Sequence, residues 1–342
     1  MTAPRVVVIG GGTSSEHEVS LASAAGIADA LDPERFDVVR LGIRPDGTWT
    51  GPEGPLPGDL AGAVAVLERA DVVVPALHGP RGEDGTLAAL LDLVGVPYVG
   101  SGVVAGAVAM SKHATKAVAA AVGVASADGI LVHDARDPRL AGLKPPLVVK
   151  PDRAGSSHGV TVVREAGGLA AAVQTALAFD TAVLVERFVR GREIDVAVIE
   201  HADGSLRCLP PLEIVVPEGG IFDAEAKYAR EPDFRVPAPV PPALLAELEG
   251  AALAVFRAVG ARGLARVDFF ATDAGLLLNE LNTFPGFTPR SQVPRMAAAA
   301  GIGYPELVEQ LVETALATAE PHRIRRRLGV ATDRNTSPAP VA

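Results

Sequence analysis

Apolar positions along the chain follow two periods. RVVVI at 5–9, FDVVRLGI at 36–43 and DVVVPAL at 71–77 are short, β-branched and bounded by Gly, Pro or charge, as buried strands are. Between them, from about Glu18 to Leu31 and from the end of LHGPRGEDGT to about Val94, the pattern is helical. VPYVGSG adds a short strand and turn. This β-α-β-β-α-β alternation predicts an open α/β sheet over residues 1–104. Ligands bind beyond the carboxyl ends of strands in such sheets, where Gly10 to Ser15, His78 and Ser101 fall.

From Ala105 one helix is expected to about Val122, before Pro145-Pro146 breaks the chain. Strand LVVKP, loop DRAGSSHG, strand VTVV, a helix at 168–178 and strand AVLVERFV then describe a smaller α+β unit, residues 105–187. A third unit, 188–320, opens with strand REIDVAVIE, a turn at Asp203-Gly204 and LRCLPPLEIVV. The stretch PEGGIFDAEAKYAREPDFRVPAP is too long for an ordinary connection and is expected to be a functional loop, a lid carrying Lys227 and Tyr228. A helix at 242–258, a hairpin built from RVDFF and LLLNELN, and a helix at about 304–318 complete the unit. The Arg- and Pro-rich remainder, 321–342, is expected to be a flexible, solvated tail.

Length and composition narrow the function. The chain has 342 residues, enough for two or three domains, and 48% of them are hydrophobic, which argues against wholesale disorder. A net charge of −10 speaks against a general nucleic-acid binder, while leaving room for an anionic ligand in a local basic pocket. One cysteine, Cys208, allows no internal disulfide and is expected to be a small buried hydrophobe. No signal-peptide pattern or membrane-length apolar run is present, so a soluble cytoplasmic protein with no membrane partner is expected. Of 31 basic residues only five are lysines: Lys112, Lys116, Lys144, Lys150 and Lys227. Such sparing use marks positions where a compact, flexible cation is wanted, or chance survival.

Three stretches carry candidate chemistry. In the hairpin, Arg266 and Asp268 share one face of their strand, and Glu280 and Asn282 one face of theirs. A three- or five-residue loop at ATDAG would bring all four to the same side, with Asn279 on the other. Two carboxylates and an amide oxygen suit Mg²⁺ shared with phosphates; the alternative is a solvated hairpin end with Arg266 paired to Asp268. VVKPDRAGSSHGV ends a strand at Lys150 and follows it with a Gly/Ser loop, either a phosphate cradle or an ordinary hairpin loop. GGGTSSEHEVS joins the first strand to a helix but lacks the third glycine of GxGxxG; Glu16 lies at that helix N-terminus, where His78 and Glu83 could join it. For His78 a loop hydrogen bond is the simpler alternative.

These stretches, with YVGSG, MSKHATK, VERFVRGRE, EAKY, NELNTFPGFT and RSQVPRM, occur in one order that closely resembles D-alanine–D-alanine ligases of the ATP-grasp superfamily, over about residues 5–318. The resemblance implies a three-domain α/β ATP-grasp fold, ATP as co-substrate, D-alanine as substrate and a homodimer. It implies two Mg²⁺ ions, replaceable by Mn²⁺, on Asp268, Glu280 and Asn282. It implies ATP binding by Lys112, Lys150, Ser157, Glu186, Glu193 and Lys227, and a hydrogen-bonded triad of Glu16, Ser156 and Tyr228 tying the lid to the site. Arg266 and the Gly286 N–H would stabilise an oxyanion, Glu16 the first substrate's ammonium, His78 its carboxylate, and Ser291 the second carboxylate. Gln292 and Phe284 would border the second-substrate subsite. Three positions depart from the family pattern: Ser111 stands where Asp is usual, Gln292 where a large apolar residue is usual, and Phe284 where a smaller one is.

Overall fold

The computed structural model describes residues 3–215 and 233–319. The lid residues Lys227 and Tyr228 lie outside the described residues. The first sheet comprises β1 (Arg5–Gly11), β2 (Asp37–Ile43), β3 (Trp49–Gly51), β4 (Gly54–Pro55) and β5 (Val72–Pro75), in the order β4-β3-β2-β1-β5. β1 pairs in parallel with β2 and β5 as the alternation requires, and β3 and β4 extend the edge antiparallel. Helices α1 (His17–Ala30), α2 (Leu60–Leu67) and α3 (Thr86–Val94) pack on it. Of the strand expected at VPYVGSG only one bridge forms, between Val73 and Tyr98.

The single helix expected from Ala105 is two helices, α4 (Val103–Met110) and α5 (Lys112–Ala121). Ser111 is extended between them, and its hydroxyl accepts from the Ala114 N–H, so the break is an N-cap set inside an alanine-rich run. Beyond it, β6 (Gly129–Val132), β7 (Leu147–Pro151), β8 (Thr161–Val163) and β9 (Val183–Arg187) form an antiparallel sheet, β6-β9-β7-β8, with α6 (Leu169–Ala176) packed on it.

The third sheet holds β10 (Arg192–Glu200), β11 (Leu206–Cys208), β12 (Leu212–Ile214), β13 (Phe234–Arg235), β14 (Leu264–Thr272) and β15 (Gly275–Asn282). Its central order is β12-β10-β14-β15, all antiparallel. One face carries α7 (Pro242–Val259) together with α4 and α5; α8 (Gln292–Ala299) and α9 (Tyr304–Ala317) follow in the chain. The half-buried Cys208 keeps its thiol near the Glu249 carbonyl, and burial pushes its pKa up to about 12, so it is unreactive.

One core spans the first and last regions: Val6, Val8 and Ile27 pack with Leu264, Val293 and Leu307. Arg35 adds a surface link, pairing with Glu309 and, at 2.7 Å, with Glu313. Consequently the β1–α1 loop faces the third sheet across a fixed gap. Among the described residues no helix is long and apolar enough to cross a membrane.

Close packing of α1 on β1 depends on Gly10, where a Cβ would stand 2.5 Å from the Ala24 Cβ. Gly10→Val should therefore lower unfolding stability by about 1–3 kcal/mol, the usual cost of overpacking. An unchanged urea midpoint would show that the helix is not seated this tightly.

Candidate active site

A cleft of ≈ 1170 Å³ opens between the second and third sheets and runs to the β1–α1 loop. Its floor is the β14–β15 hairpin. Here the turn is shorter than expected: Thr272 pairs with Gly275, leaving only Asp273 and Ala274 between. Regular alternation from that turn would set Asp268 opposite Asn279 and bury Glu280 and Asn282 on the face of Leu276 and Leu278. A β-bulge prevents this. Phe269 pairs with Leu278 but Asp268 with Glu280, so Asn279 is the extra residue. Beyond it the core position on β15 is Leu281, and Glu280 and Asn282 stand on the cleft side with Arg266 and Asp268. The expected shared face is present, for a different reason. The expectation that Asn279 lies on the opposite face is corrected, because the bulge brings it into the cleft, where its Oδ1 accepts from Lys150 Nζ at 3.2 Å.

Arg266 is partly buried, its side chain 16% exposed where it lines the cleft. It grips Asp268 with two parallel bonds, Nε–Oδ1 and Nη2–Oδ2, both 2.7 Å. Asn282 Nδ2 donates to the same Oδ2 at 3.0 Å, while Glu280 pairs with Lys112 at 3.3 Å. The Arg266–Asp268 pair, the simpler reading of the spacing, is thus formed, and it coexists with the oxygen-rich set. Among the described residues no cluster of three or more His, Cys, Asp or Glu closes round one point. Two carboxylates and an amide, with positions left for ligand oxygens, fit a hard ion such as Mg²⁺ or Mn²⁺ and not a softer metal that prefers nitrogen or sulfur.

The opposite wall is cationic. Glu186, 4% exposed, lies between Lys116 and Lys150, the latter at 2.7 Å. Burial alone would raise the Glu186 pKa, but Lys150 and Lys116 outweigh it and hold the carboxyl below its ordinary range. Burial, then the neighbouring charge of Lys150, pushes Lys116 down to about 8. Lys112 reaches the Ala154 carbonyl at 2.8 Å, and Glu193 lines the same cleft. In the loop after β7, Ser156 and Ser157 both have left-handed backbones, with φ of 50° and 58°. L-residues adopt this at a cost of roughly 1–2 kcal/mol each, and such strain gathers at functional loops.

That loop meets the first domain at Glu16. Ser156 Oγ donates to Glu16 Oε1, and Gly79 and Gly155 close on the carboxylate so nearly that a Cβ would stand 2.6 Å and 2.9 Å from Oε2. His78 is buried, with Nδ1 2.9 Å from the Phe284 carbonyl and Nε2 2.8 Å from Ser23 Oγ. A carbonyl only accepts, so Nδ1 carries the hydrogen and Nε2 accepts from the hydroxyl, which in turn accepts from the Phe287 N–H. Burial lowers the His78 pKa, in keeping with this neutral form. Both ring nitrogens are thus engaged, Nδ1 by the turn at Phe284 and Nε2 by Ser23 of α1. Glu83 spans the same junction, accepting from the Gly79 N–H at 2.7 Å and the Phe284 N–H at 3.2 Å.

The TFPGF turn lies beside these residues. Gly286 and Phe284 line the cleft, Phe284 against His78 and Phe287. Ser291 lies beside Gly286 with its hydroxyl 3.0 Å from the Thr288 N–H. Gln292 is held at both ends: its Oε1 accepts from Arg266 Nη1, and its Nε2 donates to Asp195 Oδ2 at 2.9 Å. Asp195 was missed by the sequence reading. It is 2% exposed, pairs across the sheet with Asp268, and approaches Arg266 Nε at 3.6 Å. Burial and then the Asp268 charge raise its pKa well above the usual carboxylate range. An acid set inside the otherwise apolar run from Ile194 to Ile199 was the available signal. In Arg266, burial opposes the charge, but Asp268 and Asp195 together hold its pKa above the arginine range.

Two antiparallel sheets clasping a cleft with lysines on one wall and carboxylates on the other define an ATP-grasp protein. Two family models match the chain, "D-ala D-ala ligase N-terminus" over residues 5–101 and "D-ala D-ala ligase C-terminus" over 120–313. Curated D-alanine–D-alanine ligases from Corynebacterium aurimucosum and Mycolicibacterium vanbaalenii are 43% and 42% identical, each match covering 92% of this chain and 98% and 97% of theirs. Among solved structures, a D-Ala:D-Ser ligase from Enterococcus faecalis aligns with TM-score 0.81 at 30% identity, over 92% of this chain and 100% of that one. A D-alanine–D-alanine ligase from Bacillus anthracis complexed with ATP aligns with TM-score 0.77 at 27% identity, over 96% and 100%. The chain belongs to the D-alanine–D-alanine ligase family.

Burial and then the nearby Glu16 charge raise the Glu83 pKa to about 8. A carboxyl whose pKa rises on folding stabilises the fold below its unfolded value and loses that contribution as pH climbs through its folded one. Unfolding free energy should thus fall from about pH 5 to pH 8, and Glu83→Gln should flatten the fall. Parallel pH profiles for the two proteins would contradict the raised pKa.

Proposed function

We propose that the chain joins two D-alanines to D-alanyl-D-alanine through a D-alanyl phosphate, with ATP as phosphoryl donor, for peptidoglycan precursor synthesis in the cytoplasm. Membership of the family makes it an ATP-dependent ligase; the substrates, metal and residue roles are this reading. The observation that carries it is one continuous cleft in which a lysine wall and a carboxylate floor meet Glu16, Arg266 and Gly286.

A carboxylate is a poor electrophile, because an amine cannot expel oxide. Transfer of the γ-phosphoryl group to the first D-alanine creates a leaving group. The charge on the moving phosphoryl needs cations, and Lys112 and Lys150 supply them, released from Glu280 and from the Glu186 pair. Mg²⁺ on Asp268, Glu280 and Asn282 would neutralise the phosphate oxygens when bound. Glu16, at the helix N-terminus, accepts from the first ammonium, with Ser156 orienting the carboxylate. When the second amine attacks, an oxyanion forms. Arg266 uses Nε and one hydrogen of each terminal nitrogen on Asp268 and Gln292, so each terminal nitrogen keeps a second N–H to offer beside the Gly286 N–H. Closure by a lid that includes Lys227 and Tyr228 would keep water from the acyl phosphate. Division into units 1–104, 105–187 and 188–320 and a homodimeric assembly belong to the same proposal.

Gln292 decides between second substrates. With its carbonyl on Arg266 and one amide N–H on Asp195, its side chain is fixed in place and is not free to turn toward an added hydroxyl, which favours D-alanine over D-serine. A product assay offering D-alanine, D-serine and D-lactate tests this; preferential D-alanyl-D-serine formation would overturn it. Gln292→Leu should raise the second-site KM more than the first, and equal shifts would remove Gln292 from that subsite. Glu280→Gln should abolish ATP- and D-alanine-dependent phosphate release, and wild-type turnover would refute the metal assignment.

A further inference from the structure

Ser111 departs from the family pattern, and the structure shows what takes over from the aspartate usual there. Asp152 follows β7, two residues after Lys150, and is 4% exposed. Its Oδ2 accepts from Ser111 Oγ at 2.7 Å, and its Oδ1 accepts from the His113 N–H at 2.8 Å. Its carbonyl accepts from the Lys112 N–H at 3.1 Å, and its own N–H donates to the Ala182 carbonyl at 3.0 Å. Ser111 Oγ accepts from the Ala114 N–H at 3.1 Å. The first three N–H groups of α5, which no helical carbonyl can satisfy, are therefore all taken by Ser111 and Asp152.

The same short segment holds the other end of Lys112. Its Nζ donates to the Ala154 carbonyl at 2.8 Å and pairs with Glu280 at 3.3 Å. Lys112 is thereby fixed to the loop after β7 at its backbone and at its ammonium. A negative charge at a helix N-terminus is favourable, and here it comes from a neighbouring strand and not from the helix's own cap position.

We propose that Ser111 and Asp152 form a latch that positions Lys112 against the Gly/Ser loop, the carboxylate having moved from position 111 to position 152. The proposal rests on reading Lys112 as a phosphate ligand. It explains why serine suits position 111. An aspartate there would face Asp152 at hydrogen-bond range with no proton between them, whereas a serine donates to it. Neither residue touches substrate; both act through Lys112 and the loop.

The swap is directly testable with steady-state kinetics. Asp152→Ala and Ser111→Asp should each raise the KM for ATP about tenfold, as expected for loss of a charge-assisted bond. The D-alanine KM values should stay within about twofold, a split that general loosening of the fold would not give. The double variant Ser111→Asp/Asp152→Ser should return the ATP KM to within about threefold of wild type, because residues in one network couple. Asp152→Asn provides a nearly isosteric check should the alanine variant fold poorly. Additive losses in the double variant, or an unchanged ATP KM in both single variants, would overturn the latch. Lys112→Met separates the latch from the reading beneath it. If that change leaves the ATP KM unaltered, the phosphate-ligand role fails by itself. The latch is then judged by hydrogen exchange: faster exchange at the His113 and Ala114 amides in Asp152→Asn supports it, and unchanged exchange overturns it.

Discussion

A single extra residue in one strand determines whether this cleft has any chemistry. The turn at Asp273-Ala274 is two residues long, and unbroken alternation from it would bury Glu280 and Asn282 beside Leu276 and Leu278. Burying an unpaired carboxylate costs far more than a local break in strand pairing. The bulge at Asn279 resolves the conflict by moving the core position from Leu278 to Leu281, three residues on. It also delivers the Asn279 amide to Lys150, so one irregularity sets both the acidic floor and a contact to the basic wall.

With the floor in place, the cleft becomes a problem of buried charge. Cations in the cleft have carboxylate partners: Arg266 with Asp268, Lys112 with Glu280, Lys116 and Lys150 with Glu186. The pairs are not equal. Arg266 is held by a planar two-bond grip and by Gln292, a rigid geometry. Lys150 shares one glutamate with Lys116, so Glu186 keeps a counter-charge from either one. The wall is built on flexible lysines, and the floor on a planar arginine. That division answers the sparing use of lysine: Lys112, Lys116 and Lys150 all converge on this wall.

The strand and helix periods carried the architecture. β1, β2, β5 and β7 to β10 fall where short β-branched runs stand between turn residues, and β14 and β15 where apolar runs flank one turn, because burial on a pleated face favours such runs. The gathering of residues into one cleft was legible where residue type and order sufficed, as at Lys150, Glu186, Asp268 and Glu280, which all line it. What escaped depended on one-residue geometry or on partners distant in sequence. The bulge was hidden because leucines stand at 276, 277 and 278 in a row before Leu281, so no alternation marks which of them face the core. The break at Ser111 was hidden because both sides of it are alanine-rich and equally helical. Asp195 looks like a misplaced acid until Gln292 and Arg266, 97 and 71 residues away, are folded against it.

Order in the site also depends on the core shared by the first and last regions. Because β1 and α1 pack with α8 and α9, Glu16 is carried by the same rigid body as the TFPGF turn, and Glu83 and His78 tie those two loops directly. The Gly/Ser loop belongs to a different sheet and joins that body at the site through Ser156 on Glu16. Its serines are strained, so the loop holds this shape only while its anchors hold: Asp152 on α5 at its base, Arg153 on Asp180 at its outer side, and Glu16 at its tip. The bond at the tip is charge-assisted and Lys112 adds a further contact at the Ala154 carbonyl, so the strained serines are presented to Glu16 by anchors on both sides of them.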